Sequence, residues 1–328
     1  MTFPLYRRAG AVVFLDDDPD YLEMLADVMP IDWYVRLMMR PIACIELLVA
    51  ETEAIELDMW SQQEIIHRWR EGAALIPQIL AYWRDNGIAR LSLARVFVVD
   101  YSMPAMSGLK VLSELPMWPG SRILLTGRAD EQLAVSAFNS GFIQQFIPKQ
   151  SPELRQRLTA AIAMLLHKPD ARYEQTWRTT LTREQSALLA DPAVSTELEK
   201  MAAQHSWVEH VVLGAPFGVL ALDHAAKASW LQLEPVDRLA ELAEIAESQG
   251  LDFEAVQQVR AGRKLIDAEL QLVLDTGQKP RLQNAVVIGS DAARLHVALF
   301  DVNEIVSPKA SDSFQDFVAT QSLRPLPN

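Results

Sequence analysis

The chain has 328 residues, half of them hydrophobic, and a formal net charge of −13. This length and apolar content suffice for two domains with ordinary hydrophobic cores. The single cysteine, Cys44, excludes an internal disulfide framework, and its place in the apolar run 42–49 predicts a buried thiol. Since no apolar stretch approaches the roughly 18 residues of a membrane span and no signal-peptide core precedes the first strand, we expect a cytoplasmic protein without membrane contact.

Four apolar runs in the first half of the chain each end at a polar residue. The runs are 11–15, 96–99, 123–125 and 146–148, and the polar residues that follow them are Asp16 with Asp17, Asp100, Thr126 and Lys149. Short runs that are apolar throughout and rich in β-branched residues are typical of parallel strands covered on both faces. Because ligands bind at the carboxyl edge of such sheets, we expect three carboxylates, a hydroxyl and an ammonium to converge there.

This set of groups suits phosphoryl transfer, which needs an in-line nucleophile and compensation of the charge on the phosphoryl oxygens. Asp100 is the expected nucleophile. Its approach to a phosphoryl group beside two further carboxylates requires a bridging divalent cation, and all-oxygen ligands favour Mg²⁺, with Asp17 and Asp100 as direct ligands. Lys149 would supply a fixed positive charge, and Thr126 a hydrogen bond to a phosphoryl oxygen.

The residues at these positions resemble the receiver domain of two-component response regulators, over about residues 1–165. The matching segments are Leu15–Pro19, Val99–Gly108, Leu125–Gly127 and Ile147–Lys149. The loop Met103–Gly108 is the most specific of them. The resemblance implies a flavodoxin-like, doubly wound five-stranded parallel sheet, with a sensor histidine kinase or a phosphotransfer protein as the phosphoryl donor. It implies a phosphoacceptor that catalyses only its own modification, and no enzyme acting on a metabolite.

The same resemblance implies further roles at the site. The backbone carbonyl of Ser102 would complete the magnesium site, while Asp16 would act through a water molecule. Phe146, three residues before Lys149, would turn inward when the Thr126 hydroxyl moves toward the phosphate, so that phosphorylation changes the surface of the domain.

The interval from Asp17 to Asp100 is longer than the usual family spacing, which indicates a helical insertion over about residues 50–90. Apolar residues recur in it at helical spacing, namely Met59, Ile66, Trp69, Ala73, Ile76, Leu80 and Trp83. Gly72 and Pro77 interrupt the series, so two shorter helices are predicted. We expect them to pack on the receiver's own body, with a dimer or partner surface as the alternative.

The receiver is predicted to end at residue 167, so that it spans 1–167. Residues 168–207 follow as a helical connector of two helices, the second started by Asp191 and Pro192. Residues 208–328 are predicted to be a second, α+β domain, with Trp207 and Trp230 in its core. The segment 266–274 is ambiguous between helix and strand, and a short helix is expected after Ser311.

This second domain is expected to provide the output. Its order of hairpin, helices and closing hairpin (285–288 with 295–301) resembles a PAS-like sensory fold, as does the segment 216–223. An unrelated small α/β interaction domain fits nearly as well. From residue 170 onward there are 23 Asp and Glu against 14 Lys and Arg, whereas proteins that bind nucleic acid usually carry basic patches. We therefore expect signalling through a protein or small-molecule partner, not DNA. The sequence does not identify the output partner, and it does not decide whether the chain forms a homodimer.

Three other functions fit parts of the sequence. A DNA-binding transcriptional regulator with an atypical output domain is one of them. A haloacid dehalogenase-type phosphatase is another, because Asp16 and Asp18 resemble its nucleophile and acid/base; however, Pro19 departs from that motif and the loop Met103–Gly108 would be unexplained. The third is a receiver-shaped protein that is never phosphorylated.

Overall fold

The computed structural model describes residues 2–127, 131–291, 293–302, 314 and 318, with the backbone alone at positions 88, 89 and 131. These residues form two compact units. The parallel unit comprises the described residues of Ala9–Met59, Ile88–Lys168 and Gln315–Asn328; the antiparallel unit comprises those of Met1–Arg8, Trp60–Gly87 and Pro169–Phe314. Within the described part of the chain, every helix is too short or too polar to cross a membrane.

The secondary structure alternates strands and helices in the first half and groups them in the second. The strands are β1 (Tyr6–Arg8), β2 (Ala11–Leu15), β3 (Val35–Met38), β4 (Ala94–Asp100), β5 (Ser121–Thr126), β6 (Gln145–Pro148), β7 (Trp207–Gly214), β8 (Phe217–Asp223), β9 (Ala228–Pro235), β10 (Lys264–Ile266), β11 (Leu282–Asn284), β12 (Val286–Ile288) and β13 (Leu295–Asp301). The helices are α1 (Pro19–Val28), α2 (Pro41–Arg70), α3 (Leu75–Asn86), α4 (Gly108–Ser113), α5 (Glu131–Asn139), α6 (Leu154–Leu166), α7 (Ala171–Arg178), α8 (Arg183–Leu189), α9 (Pro192–Gln204), α10 (Leu239–Ser248), α11 (Phe253–Arg260) and α12 (Ala268–Leu274).

The parallel unit has a five-stranded sheet of order β3-β2-β4-β5-β6, in which every pair of neighbours is parallel. Helices α1 and α6 pack on one face of this sheet, and α4, α5 and the first part of α2 pack on the other. Because both faces are covered, the residues of the central strands β2 and β4, apart from Arg95, are buried whichever way they point. The predicted flavodoxin-like, doubly wound sheet is therefore confirmed. Cys44 on α2 lies in this core, and burial raises the pKa of its thiol to about 12.

The predicted insertion differs from the structure in form and in packing. Instead of starting a new helix, the chain extends α2 through to Arg70, and Gly72, whose φ of +107° favours glycine, follows it. Pro77 lies in the first turn of α3, where a missing backbone N–H costs no helical hydrogen bond. From Trp60 to Gly87 the chain belongs to the antiparallel unit, in which α3 contacts α12. The sequence assigns this segment to the receiver, whereas the structure groups residues 60–87 with the antiparallel unit and leaves 50–59 and 88–90 in the parallel unit.

The antiparallel unit contains a six-stranded sheet of order β1-β7-β8-β9-β13-β12. Its first strand comes from the N-terminus, with Tyr6 opposite Val211 in the pairing of β1 with β7. The ring of Tyr6 stacks on Tyr173 of α7 at 4.7 Å, and the carboxylate of Glu174 accepts hydrogen bonds from the backbone N–H groups of Leu5 and Tyr6. Residues 2–8 thus belong to this unit, whereas the sequence assigns them to the receiver.

The segment predicted as a connector forms three helices, α7, α8 and α9, instead of two. The additional helix is α8, which begins at a capping box. In it, the side chains of Thr182 and Gln185 each accept a hydrogen bond from the other's backbone N–H. The predicted helix start at Asp191 and Pro192 is present, with the Asp191 carboxylate as N-cap of α9. All three helices belong to the antiparallel unit.

The predicted strands and closing hairpin of the second domain are present, and Trp207 and Trp230 are buried as expected. The ambiguous segment 266–274 divides into the end of β10 and helix α12. The last strand, β13, pairs with β9 and not with β8, and the resemblance to a PAS-like fold stays a prediction. The helix expected after Ser311 falls largely outside the described residues.

One buried acid in the antiparallel unit gives a pH-dependent stability. Glu234 of β9 lies opposite His296 of β13, and burial raises its pKa from 4.5 to about 7, with Glu269 and Glu241 adding to the rise and Gln232 and Arg238 opposing it. The folded state then keeps a proton that the unfolded chain releases above pH 4.5. Stability should therefore fall as the pH rises from about 4.5 to 7, and level off above that range.

The substitution Glu234→Gln removes this titration. We expect the free energy of unfolding of the variant to equal that of the wild type near pH 4.5. At pH 8 it should be larger by up to about 3 kcal/mol, since one pKa unit corresponds to about 1.4 kcal/mol. Urea unfolding of the full chain at several pH values measures the difference. Glu244→Gln on the exposed side of α10 is the control and should show no such trend. A difference that stays constant with pH would contradict the assignment.

Candidate functional site

The polar residues predicted to converge do so at the carboxyl edge of the parallel sheet. Asp16 follows β2, Asp100 ends β4, Thr126 ends β5 and Lys149 follows β6. The Nζ atom of Lys149 lies 2.7 Å from Oδ2 of Asp16 and 2.8 Å from Oδ1 of Asp100. One ammonium thus bridges two carboxylates that are far apart in the sequence.

Burial makes this arrangement electrostatically demanding. The side chains of Asp16 and Asp100 are only 2% and 4% exposed, and that of Lys149 is 24% exposed. Burial raises the pKa of Asp16 above its ordinary value, even though hydrogen bonds from Lys149 and from the Asp18 N–H favour the charged form. Burial alone would lower the pKa of Lys149, but its hydrogen bonds to Asp100 and Asp16 outweigh burial and raise it. The ammonium therefore stays charged at neutral pH.

Three carboxylates at this edge fit a divalent cation. One carboxylate oxygen from each of Asp16, Asp17 and Asp100 lies within 4.8 Å of the other two, and Asp17 is exposed to solvent. With Lys149 as the adjacent cation, three carboxylates leave a formal charge of −2, which a divalent ion would balance. Hard oxygen donors of this kind are the ligands that Mg²⁺ prefers. The residues present therefore suit magnesium.

The loop after Asp100 is tied to the acceptor carboxylate. The backbone N–H of Ser102 donates to Oδ2 of Asp100 at 3.1 Å, and the N–H of Gly108 donates to the carbonyl of Tyr101. A Cβ atom at position 108 would lie 2.3 Å from the carbonyl oxygen of Asp100, which explains why this position is glycine. Ser107 then caps α4 by accepting from the N–H of Lys110. The specific loop of the sequence thus fixes the backbone around Asp100.

Thr126 and Phe146 lie on neighbouring strands at the same edge. Thr126 is fully buried, and among the described residues its hydroxyl has no hydrogen-bond partner. Its carbonyl accepts from the N–H of Lys149. Phe146 is half-buried on β6, and its ring meets that of Phe138 on α5 edge-on at 6.2 Å. A buried hydroxyl without a partner beside Asp100 and Lys149 is available to a group that enters the site.

Two residues near the site have roles that sequence reasoning does not identify. The carboxylate of Asp18 is the N-cap of α1 and accepts from the N–H groups of Asp20 and Tyr21. The ring of Tyr21 lies beneath the ammonium of Lys149. An aromatic residue in the first turn of a helix is more often part of the core, so only the helical spacing from Asp17 to Tyr21 hints at this contact.

A solved structure is similar to this protein over the whole chain. The structure of the Legionella pneumophila response regulator LqsR matches with a TM-score of 0.67 and 21% sequence identity, over 100% of both chains. The parallel unit has the receiver fold. The antiparallel sheet forms a second domain, and the chain as a whole shares its overall fold with LqsR.

Receiver domains alone match only part of the chain. A response regulator receiver domain protein from Clostridium thermocellum has 18% identity over 48% of this chain and 94% of its own, with a TM-score of 0.30. A CheY-like receiver domain protein from Methanospirillum hungatei has 15% identity over 51% and 98%, with the same TM-score. No family model matches the sequence, and no curated protein does.

Proposed function

We propose that this chain is a two-component response regulator in which Asp100 accepts a phosphoryl group from a sensor histidine kinase or a phosphotransfer protein. The observation that supports it best is the Lys149 ammonium held at 2.7 Å and 2.8 Å from two buried carboxylates at the edge of a receiver fold. Such a charge beside a nucleophile is what a phosphoryl transfer needs, because it stabilises the negative oxygens of the transferred group.

The proposed reaction is a single displacement at phosphorus. An oxygen of the Asp100 carboxylate forms a bond to phosphorus while the bond from phosphorus to the donor's nitrogen or oxygen breaks, and the bonding electron pair leaves with the donor. The Lys149 ammonium then exchanges its ion pair with the Asp100 carboxylate for one with a phosphoryl oxygen. The hydroxyl of Thr126, which is buried without a partner among the described residues, donates to another phosphoryl oxygen.

Asp16, Asp17 and Asp100 would hold Mg²⁺, together with the backbone carbonyl of Ser102. When bound, the ion would compensate the charge that accumulates between the carboxylates and the phosphoryl oxygens. Without such compensation, a phosphoryl group approaching Asp100 would meet three carboxylates and one ammonium.

Phosphorylation would be read out at the surface near α5 and β6. As the Thr126 hydroxyl turns toward the phosphate, Phe146 would move into the space that it leaves. Phe138, which is 47% exposed and contacts Phe146, would then change its surroundings as well. The signal passes to the antiparallel unit or to a partner protein, and the acidic charge of the second half favours a protein over DNA.

The phosphatase alternative is less well supported. Its acid/base would be Asp18, but that carboxylate accepts two backbone hydrogen bonds as the cap of α1. Its nucleophile would be Asp16, but Asp16 and Asp100 are similarly buried and both pair with Lys149, so only the loop after Asp100 separates them. Asp100 occupies the better position, because its backbone and side chain are fixed by the loop that contains Ser102 and Gly108.

The proposal predicts a magnesium-dependent phosphate adduct. Incubation with acetyl phosphate and Mg²⁺ should give one acid-labile phosphate per chain, and EDTA should reduce its formation by at least about 100-fold, because the carboxylates then repel the donor. Intact-mass spectrometry measures the adduct. Borohydride reduction followed by peptide sequencing locates the modified aspartate.

Each result of this experiment separates the candidate functions. Modification of Asp100 supports the response regulator, whereas an adduct on Asp16 would support the phosphatase. If acetyl phosphate, phosphoramidate and a histidine kinase all fail to give an adduct, the result would support the third alternative, a receiver-shaped protein that is never phosphorylated. Equal labelling with and without EDTA would contradict the magnesium site but not the assignment of Asp100 as the acceptor.

A further inference from the structure

The ammonium of Lys149 has a third neighbour besides its two carboxylates. Its Nζ atom lies 4.5 Å from the centroid of the Tyr21 ring. This is well within the distance at which a cation is attracted by the negative face of an aromatic ring. The ring, Asp16 and Asp100 therefore surround the charge together.

The Tyr21 ring is a fixed platform. The N–H of Tyr21 donates to the carboxylate of Asp18 at 3.2 Å, in the first turn of α1, and its ring packs against the core between α1, α6 and the sheet. Its hydroxyl is buried, and no described residue provides a hydrogen-bond partner for it. The contact that Tyr21 makes at the site is therefore made by its ring.

We propose that Tyr21 is a positioning residue for phosphoryl transfer, whose ring keeps the Lys149 ammonium beside the acceptor carboxylate. The inference rests on the proposed function of Asp100. A lysine side chain is flexible and its ammonium is a point charge without directional geometry, so something must restrict where the charge lies when the phosphoryl group arrives. An aromatic face does so without competing with the phosphoryl oxygens for hydrogen bonds.

The test compares Tyr21→Phe, which keeps the ring, with Tyr21→Leu and Tyr21→Met, which do not. The initial rate of phosphorylation by phosphoramidate with Mg²⁺ should fall roughly 3- to 10-fold in the Leu and Met variants, the range expected when a cation–π contact is lost. The Phe variant should stay within about twofold of the wild type. Using two non-aromatic variants guards against a folding defect in either one.

A second measurement separates positioning from core packing. In a Lys149→Ala background, Tyr21→Leu should change the rate by less than about twofold, because the ring then has no ammonium to hold. The Hε protons of Lys149 should show an upfield ring-current shift in the wild type and the Phe variant, which disappears in the Leu and Met variants.

The outcomes distinguish this proposal from the function on which it rests. If the wild type takes up no phosphate, the proposed function fails first. If the wild type is phosphorylated but the Leu and Met variants react at its rate, the positioning role is refuted. It is refuted equally if Tyr21→Phe loses as much as Tyr21→Leu, if Tyr21→Leu slows the Lys149→Ala background by the same factor, or if the Lys149 shift is unaltered.

Discussion

Asp100→Asn should abolish phosphate uptake while leaving the fold intact. The amide keeps the shape of the side chain and an oxygen that accepts from the N–H of Ser102, but it is not a nucleophile toward phosphorus. We expect labelling by acetyl phosphate with Mg²⁺ to fall at least about 100-fold. The other carboxylates of the site, Asp16 and Asp17, would not replace Asp100, because they would be engaged by Lys149 and Mg²⁺. Intact-mass spectrometry on wild type and variant measures the loss.

The matched control is Asp27→Asn, an exposed aspartate on α1 that takes no part in the site. It should label like the wild type. The circular dichroism spectrum of Asp100→Asn should also equal that of the wild type, so that loss of labelling cannot be attributed to unfolding. Unchanged labelling in Asp100→Asn would overturn the assignment of the acceptor.

Lys149→Ala should affect both stability and reactivity. It leaves the buried carboxylates of Asp16 and Asp100 without their shared cation, and the pKa of Asp16, already raised by burial, would rise further. Without metal at pH 8 we expect a loss of about 2–4 kcal/mol, in the range for an ion pair broken on one side. Because a cation bound by the same carboxylates offsets the missing charge, millimolar Mg²⁺ should restore part of this stability.

The phosphorylation rate of Lys149→Ala should fall about 100-fold even when the protein is folded and Mg²⁺ is present, as when a group that stabilises a transition-state oxygen is removed. Urea unfolding with EDTA or Mg²⁺, together with phosphoramidate kinetics, measures the two effects. Lys110→Ala is the control, because Lys110 pairs with Glu114 on an exposed helix face and should contribute less than about 1 kcal/mol. A Lys149→Ala variant as stable and as reactive as the wild type would contradict the site.

The site was accessible from sequence because its parts lie at strand ends. The runs before them are typical of buried parallel strands, and the topology of such a sheet brings the residues that follow to a single edge, namely Asp16, Asp17, Asp100, Thr126 and Lys149. Tyr21 escapes this reasoning. The role proposed for it depends on where the flexible side chain of Lys149 lies, which no periodicity encodes.

The fold of the parallel sheet could be predicted from the sequence. The assignment of chain segments to the two units could be predicted much less well. Helix α2 illustrates the difficulty: its apolar positions have helical spacing throughout, so nothing at Met59 or Trp60 marks where one unit gives way to the other. The strand β1 is only three residues long, and its partner β7 is about 200 residues away. Pairings of that kind depend on tertiary contacts that local sequence does not contain.

Up to residue 302, the parallel unit is interrupted once by the chain of the other unit and preceded by its first strand. In this part of the chain the backbone passes from one unit to the other after Arg8, Met59, Gly87 and Lys168, so it has four connections instead of a single linker. A fragment ended at Lys168 would keep β1 without β7 and α3 without α12. The parallel and antiparallel units are therefore not exchangeable by one cut, and chimeras would need to respect these four junctions.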